Sequence, residues 1–330
     1  MSLNITAKLV FVCYLSFSTL TFANALSPLD NAITVLKTGQ TEQAIVLFEE
    51  QKDDPKALVY LAKIYMDTDL DEAEDWIEKA LKANLKDAEA YYVRGAIMGR
   101  QASGSIFSAL SYAEKSVNSF TQAVELQPDS IKYRKGLMQF HTGAPSIAGG
   151  DLKIAKVQIE KIKLLDPKEG LEAEINYEVS QDNDALAEAL LQQAKQTYKD
   201  IPDFFLQAGM LQQQHQKNYQ AAFEELSIAI SKNPETEQSV IARYNALYQL
   251  GRTSVLGENN IDAGIKALHE FIGKAPDLDG LAPKPWAEFR LTNLMVLNSQ
   301  TLEAKTIYLR LAKTANKALA KQAKKAAKKI

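Results

Sequence analysis

The sequence predicts an all-α solenoid, and three observations carry that prediction. Lys56 to Met66 places Ala57, Leu58, Leu61, Ala62 and Tyr65 at spacings of three and four, which stacks them on one face of a helix. Asp67-Thr68-Asp69 then supplies turn and N-cap chemistry, and a second helix reaching Leu85 carries Ala73, Ile77, Ala80 and Leu81 on its apolar side. Neither helix of this hairpin covers the other's stripe, so the hairpin needs similar ones stacked beside it. The second observation is that such hairpins recur along the chain. The third is composition: 46% hydrophobic residues with 15 Gly and 10 Pro suit a folded helical chain, and no convincing strand is present.

Taken in order, Leu29 to Pro55 forms a first hairpin, with Leu29, Ala32, Ile33 and Leu36 before Gly39 and Ala44, Leu47 and Phe48 after it. The unit at Lys56 is the second. A third begins at Tyr91-Tyr92-Val93-Arg94-Gly95-Ala96 and carries Ser116, Phe120 and Ala123 on its second helix; Gln101 to Ser105 is expected to break it, with one helix over Ile106 to Leu126. A fourth spans Ile131 to Pro167, with a long connection from His141 to Asp151. The fifth, Leu171 to Tyr198, is Ala-rich and has the weakest first-helix pattern. The sixth runs from Phe204 to Pro234, the seventh carries Leu247, Leu250, Gly251, Gly264, Leu268 and Phe271, and the eighth begins at Trp286 and runs through Leu311. Prolines 55, 128, 167, 202, 234 and 276 fall near the expected ends of second helices, where a residue without an N–H stops the run.

A small residue followed by Ala, a large apolar residue four later and Ala or another apolar residue three beyond recurs as Ala62-Ala73-Ile77-Ala80, Gly209-Ala222-Leu226-Ala229 and Thr292-Ala304-Tyr308-Leu311. This pattern resembles the tetratricopeptide repeat over nearly all of residues 26–330. The resemblance implies a right-handed superhelical solenoid of about eight helical hairpins with a C-terminal capping helix. The third, fourth and seventh repeats depart from it through long turns, and the insertions are expected near 99–108 and 141–151. Small residues such as Gly136 and Gly209 let the paired helix approach closely, so a bulky replacement is expected to pry the hairpin apart.

Met1 to Ala25 has the three parts of a secretory signal: Lys8, an apolar core from Leu9 to Phe22, and the small-x-small site Ala23-Asn24-Ala25. The apolar run is short for a membrane span. Cleavage after Ala25 would leave 305 of the 330 residues and no cysteine, because Cys13 is the only one. Val12 stands where a lipoprotein signal needs a small residue, and the rival reading is an uncleaved N-terminal anchor. Without Lys8, 37 basic residues face 41 acidic ones, a net charge of −4 that disfavours general nucleic-acid binding. The expected address in a bacterium is the periplasm.

Catalytic constellations are missing from the linear sequence. His141, His215 and His269 lie in different repeats, read as surface or loop residues, and show no metal-ligand spacing. No Gly-rich phosphate loop and no Gly-x-Ser-x-Gly occurs. Asp67, Asp69 and Asp71 partly match a calcium loop, but Glu72 stands where the turn wants Gly, and helix capping explains them. Neither a cofactor, a metal nor a catalytic residue is therefore expected. Pro145, Gly149, Gly150 and Asp151 resemble a Pro-x-x-x-Gly-Gly-Asp insertion of some tetratricopeptide proteins, readable as a shaped turn or as a recognition loop over the groove.

The repeat resemblance implies that first helices line a concave groove and that residues three before the small position face into it. Here these are Val59, Tyr92, Tyr133, Leu206, Tyr248 and Phe289, four of the six aromatic, with Arg134 and Arg290 adjacent in sequence and suited to carboxylates. The same aromatics could instead serve only packing between repeats. Lys317, Lys321, Lys324, Lys325, Lys328 and Lys329 lie on an Ala-rich terminal helix over 312–330, read as a solvated cap that hides the last repeat's apolar surface or as a weak attraction for anionic lipid or an acidic partner. The expected function is a non-catalytic scaffold binding a protein or peptide of the cell envelope. The rivals are an accessory of an envelope transport system, TonB-linked or for solutes, and a small-molecule carrier using the groove beneath the 145–151 loop.

Overall fold

Helix starts along this chain are written locally. Asp69 accepts hydrogen bonds from the backbone N–H groups of Asp71 and Glu72, Asp151 from Lys153 and Ile154, and Asp166 from Lys168 and Glu169. Pro55 and Pro167, expected as terminators, instead open helices at the first position, where the missing N–H would have had no helical partner. The computed structural model describes residues 26–104, 108–278, 280–314 and 316–330, so the expected signal segment lies outside the described residues.

Among the described residues seventeen α-helices form eight successive hairpins and a terminal helix. The pairs are α1 Pro28–Lys37 with α2 Thr41–Glu49, α3 Pro55–Tyr65 with α4 Leu70–Ala83, α5 Ala88–Gly104 with α6 Ala109–Leu126, and α7 Ile131–Gly143 with α8 Leu152–Leu165. They continue as α9 Pro167–Ser180 with α10 Asp184–Thr197, α11 Asp203–Leu211 with α12 Tyr219–Ser231, α13 Glu237–Gly257 with α14 Ile261–Lys274, and α15 Lys284–Leu297 with α16 Thr301–Leu311. The terminal helix, α17, spans Lys317–Ala327; it is shorter than the 312–330 expected because α16 ends at Leu311 in a separate turn. No helix among the described residues is long and apolar enough to cross a membrane.

Close approach within a hairpin follows from the small residues. A Cβ on Gly209 would lie 2.6 Å from Leu226 Cγ, and one on Gly251 would lie 2.3 Å from Leu268 Cγ. First helices also pack on the next first helix, α3 on α5, α5 on α7, α7 on α9, α11 on α13 and α13 on α15, whereas second helices make no comparable contacts with the next second helix. The closer row lies on the inside of the curve, so the first helices line the concave side.

Two expected insertions are helical over much of their described length. The stretch 99–108 does not break after Arg100: α5 runs to Gly104, because the buried Gln101 side chain donates to Leu70 O at 3.1 Å and to Glu74 Oε2 at 2.9 Å. Residues 105–107 lie outside the described residues, so the helix expected from Ile106 is seen from Ala109. In the seventh repeat the extra residues lengthen α13 to 21 residues and leave a short turn. The fourth repeat keeps a true connection, a 3₁₀ turn over Ser146–Ala148. In the sixth, α11 continues into a π-helical turn, Gln212–Gln216, where buried Gln213 donates to Gln249 O and to Thr253 Oγ1 at 2.7 Å.

Candidate functional site: the first-helix face and its C-terminal cleft

Charge on the concave side is arranged in three successive groups. The first centres on Glu89, in the opening turn of α5. Lys63 of α3 reaches it at 2.6 Å, Lys132 of α7 at 2.7 Å, and the Tyr133 hydroxyl donates to its Oε2 at 3.1 Å. Burial pushes the Glu89 carboxyl up, but the two lysines outweigh this and hold it below the ordinary glutamate value. Tyr133 is pushed well above the usual phenol range by burial and by Glu89, so it remains a donor. One carboxylate thus ties three consecutive first helices together.

The second group fills the middle of the solenoid. Lys168 of α9 donates to Glu172 Oε1 at 2.7 Å and to Asp203 Oδ1 of α11 at 2.9 Å. Lys135 of α7 pairs with Glu169 and stands 3.7 Å from Glu172, while the Ser239 hydroxyl of α13 donates to Asp203 Oδ2 at 3.3 Å. Glu172 and Asp203 are each 5% exposed. Buried carboxylates persist only with such partners, and the network links four first helices in a row.

The third group lies at the C-terminal end and is not neutralised. A cleft of about 820 Å³ opens between α13, α15 and α17. Arg290 lines it, with its guanidinium 5.8 Å from the Trp286 ring and 5.5 Å from the Phe289 ring. Its Nε is shielded from solvent and has no hydrogen-bond partner. Lys321 and Lys325 face the same space from successive turns of α17. Tyr308, pushed up to about 12 by burial against the opposing pull of Arg290, donates its hydroxyl to Asn293 Oδ1 at 2.6 Å.

The sequence-predicted residues fall into different settings. Tyr133 and Phe289 are buried between repeats, as is Val59. Tyr92 is partly exposed, lies tilted against Tyr133 at 5.4 Å and edge-on against Phe120 at 5.7 Å, and has Lys132 Nζ 4.6 Å from its ring. Tyr248 is partly exposed over Phe271. Arg134 is committed to structure, donating to Pro128 O and Gln158 Oε1 at 2.7 Å each. Leu206 is partly buried against the C-terminal core. The structure brings Tyr92 and Tyr133 together and sets Tyr248 against Phe271, on the same apolar cluster that holds Phe289.

Pro145, Gly149, Gly150 and Asp151 form a shaped connection beside second helix α6. Gly149 has φ +91°, where a side chain would be strained, and a Cβ on Gly150 would fall 1.8 Å from Ala144 O. Asp151 caps α8, and the Gly149 side of the turn faces Phe140 and Val117. His141, expected on the surface, is 5% exposed, with Nδ1 3.1 Å from Gly149 O and burial lowering its pKa. Its burial follows from holding this turn. His215 lies 3.4 Å from Asp184 and His269 is exposed, so the three histidines stay apart.

Of the residues at this cleft, Phe289 and Arg290 were picked out from the sequence, Tyr308 was placed only in the repeat pattern, and Asn293 was missed. It missed the buried network too. The available signal was spacing: Lys135 and Glu169 are 34 residues apart, Lys168 and Asp203 are 35, and Asp203 and Ser239 are 36, one repeat in each case.

No protein-family model and no curated protein sequence matches this chain. Solved structures similar to it include a thermophilic TPR protein of Thermus thermophilus, 16% identical, with 61% of this chain and 96% of that one covered at a TM-score of 0.43. A tetratricopeptide repeat protein from Parabacteroides merdae is 12% identical, covering 81% of this chain and 97% of that one at 0.48. PilW, a type IV pilus biogenesis factor, is 20% identical, covering 69% and 96% at 0.39. The solenoid of tetratricopeptide-like hairpins rests on this chain's own helix pairing and small-residue contacts.

Proposed function

We propose that this chain is a non-catalytic scaffold of the bacterial periplasm that holds a protein or peptide partner against its first-helix face. The observation that carries the reading is the packing of first helix on first helix, from α3 through α9 and again from α11 through α15, which leaves a concave surface lined by first helices. Such curved surfaces serve extended partners. Tyr92 and Tyr248, partly exposed on packed supports, offer aromatic area at little entropic cost. The periplasmic address rests on the pattern of residues 1–25.

In-cell crosslinking with mass spectrometry tests this, comparing the full chain with a Tyr92→Ser, Tyr248→Ser variant whose helicity is checked by circular dichroism. Capture of one envelope protein by the wild type, with at least a tenfold loss in the variant, is the expected result. Equal capture by both would remove the concave face from the reading. Release of the protein by osmotic shock checks the address, and retention with the cytoplasmic fraction would overturn it.

A further inference from the structure

Among the described residues, the arginines other than Arg290 each have a hydrogen-bonding or ionic partner: Arg94 and Glu78, Arg100 and Asp67, Arg134 and Gln158, Arg243 and Glu270, Arg252 and Gln249, Arg310 and Glu288. Arg290 has ring contacts but no hydrogen bond or ion pair, with one donor withdrawn from water. A shielded, unused guanidinium donor is costly unless a ligand takes it. The surroundings add to the demand. Among the described residues, Lys321, Lys325 and Lys329 line the same cleft without an ion pair, and Glu258 is the only acidic side chain lining it. The Ile330 main-chain oxygen is taken by Lys305 Nζ at 2.6 Å. Asn293 spends its oxygen on Tyr308, which leaves its amide N–H groups to donate.

The remaining wall is apolar, with Val255, Val296 and Leu297 beside the cations. An extended peptide would bring backbone N–H groups needing acceptors, and Glu258 and Gln322 are poor provision for them. We propose that this cleft binds a single-chain anionic amphiphile, its carboxylate or phosphate head on Arg290 within the field of the α17 lysines, and its chain on Val255, Val296 and Leu297. The volume falls within the range of small-ligand sites. This site is independent of the partner surface around Tyr92.

Isothermal titration of the full chain with laurate, dodecyl phosphate, dodecanol, inorganic phosphate and a Glu-rich octapeptide tests it. Laurate, dodecyl phosphate or both should bind at least tenfold more tightly than dodecanol or inorganic phosphate, and whichever anion binds better identifies the head group. Arg290→Met, which keeps an apolar stem against Trp286, should weaken the anion about tenfold. Lys321→Ala with Lys325→Ala, both solvent-exposed, should weaken it about threefold and reduce the salt dependence of binding. Dodecanol binding as well as laurate, an unchanged affinity in both variants, or tighter binding of the octapeptide would each overturn the proposal.

Discussion

The middle of the solenoid and its C-terminal third meet the same requirement, burying the faces between hairpins, with different chemistry. From α12 to α17 one apolar cluster runs unbroken through Leu226, Leu247, Leu268, Phe271, Leu294, Tyr308 and Leu319. Between α7 and α11 the apolar core divides into two small clusters, one around Ile159 and Ile162 and one around Leu191 and Phe204. There Lys168, Glu172 and Asp203 tie first helix to first helix. Charge inside the middle is spent on other residues of the chain. At the C-terminal end the apolar core carries the packing, so the cations of Arg290 and α17 are left for something else. A charged residue in a repeat protein therefore needs its partner identified before it is assigned to binding.

The sharpest way to break this comparison is Lys168→Met. It leaves Glu172 and Asp203 buried without their main cation, and removing one partner of a buried pair costs about 3–5 kcal/mol. In a solenoid each hairpin is stabilised chiefly by its neighbours, so the loss should stay local. Native-state hydrogen exchange should show protection falling in α9 and α11 while α14 and α15 keep theirs. An even loss across the chain would mean that the two regions unfold as one unit and that the contrast has no energetic content.

The complementary change is Gly251→Leu in the apolar third. The added Cβ alone would meet Leu268 Cγ at 2.3 Å, and overpacking of this kind costs about 2–3 kcal/mol. Urea unfolding should show the early transition moving to the C-terminal hairpins, with exchange in α9 unchanged. If α9 opens as well, the apolar cluster supports the middle more than the division of the core implies.

The two regions were also unequally legible. Ala62, Ile77 and Ala80, or Gly209, Leu226 and Ala229, announce a hairpin because small and large apolar residues alternate at helical spacing and are buried where that spacing puts them. The fifth hairpin was faint for a physical reason. Helix α9 buries Glu172, Glu178 and Gly170 among Ala173, Ile175 and Tyr177, so charged residues interrupt the apolar face that would announce it. Gly170 is needed because a Cβ there would sit 2.4 Å from Lys163 Cα. At the C-terminal end, Arg290 and the basic helix were visible separately. That they face one cleft depends on α17 folding back along α15, with Leu319, Ala323 and Ala327 buried, and no local pattern encodes that. Arg134 and Arg290 looked equivalent in sequence; only the packed structure shows that the first is spent on Gln158.

The smallest effect separates two carboxylates within the charged row itself. Glu89 is held below the ordinary glutamate value of 4.5, whereas burial raises Glu172 above it despite Lys168. The signs oppose. A depressed carboxyl contributes stability above its unfolded pKa and loses it as pH falls through the folded value; a raised one favours the fold below its unfolded pKa and loses that contribution as pH rises through the folded value. Glutamine imitates the protonated acid. Glu89→Gln should therefore lower the urea midpoint at pH 7, and Glu172→Gln should leave it unchanged or raise it. Both variants should converge on the wild type as pH falls below 4.5, the first from below and the second from above. Midpoints that shift in the same direction at pH 7 would show that Lys168 compensates Glu172 as fully as Lys63 and Lys132 compensate Glu89. The buried middle would then be as well matched electrostatically as the more open Glu89 junction.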